Sequence, residues 1–216
     1  MDDKNQKLTL FTLGNCAVGK TSFITKYVKN ISNEIYNPTL GIDFFSKIIK
    51  LENGDYCKLL FYDTAGQERY KSISFNLIKN ADGIFLIYDV AERSSFDEIN
   101  GWIKSIKEAK GDNFPIILIG NKCDLENRVI SKEEGEKLAQ EQGFSFIETS
   151  CKEGINIEES VKILVDDIMK RRKSAKLKNI EGDNDNDLKN RNKIRLSIKS
   201  NTNSKKNETK KICCNQ

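Results

Sequence analysis

The chain has no histidine. Its six cysteines, Cys16, Cys57, Cys123, Cys151, Cys213 and Cys214, are scattered, and without imidazole they match no zinc ligand spacing. They are expected to be free thiols in a reducing cytosol. No apolar run approaches the ~18 residues that a membrane span needs. The opening Met1-Asp-Asp-Lys-Asn is acidic and polar, unlike a secretory signal. No internal repeat is visible. Aromatics are missing from residues 173–216, which carry 12 Lys/Arg against 5 Asp/Glu, a charge of +7. The other 172 residues carry 24 against 27, or −3, so the overall +4 belongs to the tail. A basic, Asn- and Ser-rich segment of this kind cannot bury enough surface to fold. Residues 1–172 are expected to form one domain and 173–216 a disordered basic tail.

Within that domain, short apolar runs alternate with longer amphipathic stretches. Strands are predicted at 7–13, 42–51, 56–62, 83–89, 115–120 and 145–148, and helices at 20–29, 67–79, 94–109, 131–142 and 156–171. Asn53-Gly54 between two apolar runs signals a tight hairpin, so the second and third strands should be antiparallel. The later strands are separated by helices and need crossover connections. The expected architecture is a three-layer α/β/α domain with about five helices. Its six-stranded sheet is mostly parallel, with one antiparallel edge strand. Ligands of such sheets bind beyond the carboxyl ends of the strands.

One of those ends carries Gly14-Asn-Cys-Ala-Val-Gly-Lys-Thr21, between an apolar strand and an amphipathic helix. Two glycines let backbone N–H groups turn onto phosphate oxygens. Lys20 supplies a point charge for β- and γ-phosphates, and the Thr21 hydroxyl can ligate Mg²⁺. The loop alone does not say which nucleotide binds. The third strand ends in Asp63-Thr-Ala-Gly-Gln-Glu-Arg-Tyr70. There Asp63 can hold Mg²⁺ through water, Gly66 can offer its N–H to a γ-phosphate, and Gln67 can orient an attacking water. Asn121-Lys-Cys-Asp124 closes the run Pro115–Gly120. The Asp124 carboxylate can accept from N1–H and the exocyclic amine of guanine, a donor pair that adenine lacks. Asn121 would brace the loop and the Lys122 stem would cover one face of the ring. Glu148-Thr-Ser-Cys-Lys152 could add a backbone N–H to guanine O6.

In these motifs, residues 7–172 resemble a small GTPase of the Ras superfamily with the P-loop NTPase fold. Five family motifs occur in order: the phosphate loop, Thr39 in Pro38-Thr-Leu-Gly-Ile-Asp-Phe44, Asp63–Gln67, Asn121–Asp124 and Ser150-Cys-Lys152. Leu40–Phe44, Asp63–Tyr70 and the ending Cys213-Cys214-Asn-Gln216 are most similar to Rab proteins. The resemblance implies a nucleotide site of Asn15, Cys16, Ala17, Val18, Gly19, Lys20, Thr21, Ser22, Thr39, Gly66, Asn121, Lys122, Asp124, Ser150, Cys151 and Lys152. Thr21, Thr39 and Asp63 would serve Mg²⁺, and Gln67, Lys20, Thr39 and Gly66 would serve catalysis. Thr39 would sense the γ-phosphate and release its loop after hydrolysis. Residues 36–44 and 66–78 would be read by effectors. With no arginine placed to act in cis, turnover should be slow and a GTPase-activating protein should supply one. The further implied partners are an exchange factor, a GDP-dissociation inhibitor, a Rab escort protein with geranylgeranyltransferase, and anionic membrane. The protein is expected to be a monomer that binds no nucleic acid. Cys213 and Cys214 would be lipidated, anchoring it to the cytoplasmic face of an intracellular membrane and letting it cycle with cytosol.

The chain departs from the Rab pattern at Cys16, where Gly or Ser is usual, at Tyr62 in place of Trp, and at Phe75–Asn80. Ser32 stands where an aromatic normally packs edge-on to guanine. Cys16, Cys123 and Cys151 fall in loops expected around the nucleotide, which raises redox-controlled exchange as a second use of the thiols. Other readings stay open at this stage: a weakly hydrolysing GTP-bound scaffold, a non-Rab Ras-type signalling GTPase and an ATP-using kinase.

Overall fold

The computed structural model describes residues 5–30, 42–64 and 78–175. Thr39, Gly66, Gln67, Cys213 and Cys214 lie outside the described residues, as do Ser32 and Phe75. The chain divides into two units, Met1–Ile168 and Met169–Gln216; in the second, residues 169–175 are helical.

Six strands form one sheet: β1 (Asn5–Leu13), β2 (Ile42–Lys50), β3 (Tyr56–Thr64), β4 (Gly83–Asp89), β5 (Ile116–Asn121) and β6 (Ser145–Thr149). Their order is β2-β3-β1-β4-β5-β6. The β2–β3 pair is antiparallel and every other pair is parallel. The hairpin turn forms where Asn53-Gly54 predicts it. Gly54 adopts φ +88°, and the Leu51 N–H closes onto the Asp55 carbonyl at 2.8 Å. The central strands are apolar without alternation because both their faces are covered; every residue of β4 and β5 is buried.

Among the described residues the helices are α1 (Lys20–Lys29), α2 (Arg93–Asp97), α3 (Ile99–Lys110), α4 (Lys132–Gln142) and α5 at 157–175. One helix predicted at 94–109 is therefore two, broken at Glu98. The backbone stays right-handed at Glu98 (φ −77°, ψ −10°), so the helical period runs through the break. The Ser95 hydroxyl accepts from the Asp89 N–H at 3.0 Å and donates to Glu92 O at 2.7 Å, which ties α2 to the end of β4. Of the segment predicted as a helix at 67–79, only the last two residues are described. Helix α4 starts at a capping box: the Glu134 N–H donates to Ser131 Oγ, and the Ser131 N–H to the Glu134 carboxylate.

Strand register sets up the site. Thr12 lies opposite Asp63, Asp89 opposite Asn121, and Asn121 opposite Thr149. Polar side chains thus line up along the carboxyl edge of a sheet whose body is buried Ile, Leu and Phe.

Candidate functional site

The turn leaving β1 is forced into shape by its glycines. Gly14 has φ +136°, and a Cβ there would stand 2.0 Å from the Ile87 carbonyl oxygen of β4. Gly19 has φ +100°, and a Cβ there would stand 2.3 Å from Asn121 Nδ2. Between them Ala17 also takes a left-handed conformation, at φ +61°. The loop feeds straight into α1, so the first-turn N–H groups of Lys20, Thr21 and Ser22 open toward it. No acidic residue occupies that first turn to compete for them.

Lys20 lies almost wholly inside. Its ammonium donates to Gly14 O at 3.0 Å and Asn15 O at 2.6 Å. Burial lowers its pKa to about 8, opposed by the nearby Asp63 carboxylate. A buried cation held by loop carbonyls, in a loop with no room for a Cβ at Gly14 or Gly19, fits a polyphosphate. Beside it the Thr21 hydroxyl donates to Asp63 Oδ2 at 2.5 Å, and the Thr12 hydroxyl to Asp63 Oδ1 at 3.3 Å. Asp63 is fully buried. A hydroxyl and a carboxylate in contact next to a phosphate cradle are a hard-oxygen donor set of the kind that suits Mg²⁺.

On the other side of the loop, Asn121 joins three segments. Its Nδ2 donates to Val18 O at 2.8 Å, and its Oδ1 accepts from Thr149 Oγ1 at 3.0 Å and from the Cys151 thiol at 3.4 Å. The Cys123 N–H donates to Thr149 O at 3.0 Å. These bonds hold 121–124 and 149–151 together against the phosphate loop. Asp124 is half-buried in the turn after β5, Ser150 and Cys151 are buried, and Lys152 is exposed. Lys122 has φ +63°, and its ammonium pairs with Asp89 at 2.6 Å.

Three contributors have no role assigned by the motifs. Asp89 holds Lys122; its one sequence signal is a carboxylate at the end of an apolar strand. Thr149 completes the bonding of Asn121. Trp102 of α3 donates its indole N–H to Asn15 Oδ1 at 3.1 Å across 87 positions of sequence, and nothing local announces it.

Two of the three thiols expected around the nucleotide are poorly suited to redox control. Burial raises the Cys151 pKa to about 12 and raises that of Cys123 as well. Reaction with oxidants needs the thiolate. Of the three, Cys16 alone is exposed.

Comparison with known proteins gives concordant results. Residues 9–170 match the family model of the Ras family. The chain is 40% identical over 181 residues to the Ras-related protein Rab-13 of Bos taurus, covering 83% of this chain and 89% of that one. It is 43% identical over 158 residues to the GTP-binding protein Rab-3D of Rattus norvegicus, covering 73% and 72%. To the Ras-related protein Rab-3C of Bos taurus it is 42% identical over 158 residues, covering 73% and 69%.

Proposed function

Because this chain belongs to the Ras family, on its Rab branch, we propose that it is a membrane-anchored GTP/GDP switch that turns over slowly in vesicle traffic. As a Rab-type GTPase it binds GTP or GDP with Mg²⁺ and hydrolyses GTP to GDP and phosphate. The observation that carries the reading is the bonding of Asn121 to Val18 O and Thr149 Oγ1, which braces base loop and phosphate loop as one unit.

In this reading Lys20 and the N–H groups of Asn15 to Ser22 hold the phosphates. Asp124 selects guanine, with Ser150, Cys151 and Lys152 closing over the base and Lys122 lying along it. Thr21, Thr39 and Asp63 hold Mg²⁺, which when bound neutralises charge on the phosphate oxygens. Gln67 orients the attacking water, and Gly66 and Thr39 sense the γ-phosphate. Residues 1–172 form the switch domain and 173–216 the basic tail. Two lipid chains on Cys213 and Cys214 give stable anchoring where one would be marginal. A GTPase-activating protein supplies the catalytic arginine in trans, and an exchange factor, a GDP-dissociation inhibitor and switch-reading effectors complete the cycle.

One experiment in the chain's own cells tests both halves. Wild type, Gln67→Leu and the double variant Cys213→Ser/Cys214→Ser are compared for single-turnover GTP hydrolysis and for membrane pelleting. Gln67→Leu should slow hydrolysis roughly ten- to a hundredfold and still pellet. The double serine variant should hydrolyse at the wild-type rate and move to the soluble fraction. Equal hydrolysis by wild type and Gln67→Leu would favour a nucleotide-locked scaffold. Unchanged pelleting of the serine variant would sink the anchoring reading.

A further inference from the structure

The chain contains a single tryptophan, Trp102. It sits on α3 with Ile99, Ile103 and Ile106 around it in the core cluster, so its ring is accounted for by packing. Its N–H is not accounted for by packing, because a phenylalanine would fill the same apolar space without bringing a donor to be satisfied. That donor reaches Asn15 Oδ1 at 3.1 Å. The Asn15 carbonyl in turn accepts from Lys20 Nζ at 2.6 Å, the shorter of the two bonds to loop carbonyls that hold that ammonium. Two hydrogen bonds therefore run from the middle of α3 to the charge that faces the phosphates.

The loop has reason to need this tether. Asn15 is half-buried, and the two residues after it, Cys16 and Ala17, are exposed. Ala17 holds a left-handed conformation that is unfavourable for a residue with a side chain. Gly14 is fixed against β4, and the far end of the loop is fixed by Asn121 on Val18 O. Between those fixed points, the Trp102 bond reaches the side chain of Asn15 from outside the loop.

We infer that Trp102 is a positioning residue for phosphate binding: through Asn15 it sets the carbonyl that aims the Lys20 ammonium at the β- and γ-phosphates. The inference rests on the nucleotide reading given above and adds a residue from a helix that carries no family motif. It predicts a selective defect. Lys20 serves the β- and γ-phosphates, so loss of the tether should weaken GDP and GTP binding and spare GMP, which has neither phosphate.

The test uses the full chain as wild type, Trp102→Phe, Asn15→Ala and the double variant. Affinities for GDP and GMP are measured alongside the thermal midpoint. Trp102→Phe keeps the ring and deletes the donor. It should lower GDP affinity roughly threefold to tenfold, the range for one hydrogen bond, and leave GMP affinity unchanged. In the Asn15→Ala background the same substitution should have no further effect on GDP affinity. Equal losses for GDP and GMP, or additive losses in the double variant, would make Trp102 a core residue only and overturn the inference. A wild-type chain that fails to bind GDP would overturn the nucleotide reading instead, so the two failures are distinct.

Discussion

Asp124→Asn should lower the affinity for GTP by about 10³ to 10⁵ and transfer preference to xanthosine triphosphate. A carboxylate presents two acceptors to the N1–H and exocyclic amine of guanine, whereas an amide presents one acceptor and one donor. The amide NH₂ then opposes the guanine amine, donor against donor, and both lose water without gaining a partner. Xanthine carries an oxygen where guanine has that amine, and this oxygen accepts from the same NH₂. The structure makes the swap clean because the frame around position 124 is fixed from elsewhere. Asn121 is tied to Val18 O and Thr149, the Cys123 N–H donates to Thr149 O, and the Leu125 N–H donates to Lys122 O at 3.0 Å. None of these bonds uses the Asp124 carboxyl. Competition of GTP, XTP and ATP for a bound fluorescent guanine nucleotide provides the measurement. An Asp124→Asn variant that still prefers GTP to XTP would remove Asp124 from base selection.

The second large effect is one of shape. Gly14→Ala should abolish nucleotide binding and destabilise the domain by about 3 kcal/mol or more, lowering the thermal midpoint by on the order of 10 °C. The added methyl would stand 2.0 Å from the Ile87 carbonyl oxygen and 3.1 Å from its carbon. Those atoms belong to β4, which lies between β1 and β5 in the sheet and is buried along its whole length, so they have nowhere to move. At φ +136° the alanine is also strained where it stands. Gly101 in α3 is the control. A Cβ there meets nothing within 4 Å, and Gly101→Ala in an exposed helical position should be neutral or stabilising by up to about 1 kcal/mol. Matching midpoints for the two alanine variants, read by calorimetry, would rule out the steric account.

The thiols show how burial changes a reading made from position alone. Cys16, Cys123 and Cys151 are alike in sequence, each in a loop at a strand end. In the fold Cys151 is buried against Asn121 and Cys123 is half-buried, so both are held as thiols, while Cys16 is exposed.

Elements whose cause is local are legible in the residues themselves. Gly14 and Gly19 announce a turn that only glycine can make beside phosphate, Asn53-Gly54 announces the hairpin, and apolar runs between amphipathic stretches announce a parallel sheet. Asp63 and Asp124 could be assigned chemistry because each sits at the end of such a run and carries the functional group that its ligand requires. Tertiary structure alone decided what holds those groups still. Lys122 meets Asp89, Asn121 meets Thr149, and Trp102 meets Asn15 only after the strands have stacked in the order β2-β3-β1-β4-β5-β6 and α3 has packed on them. These contacts span up to 87 positions. No local periodicity encodes such a distance, because it depends on sheet order and register, which are set by burial over the whole domain.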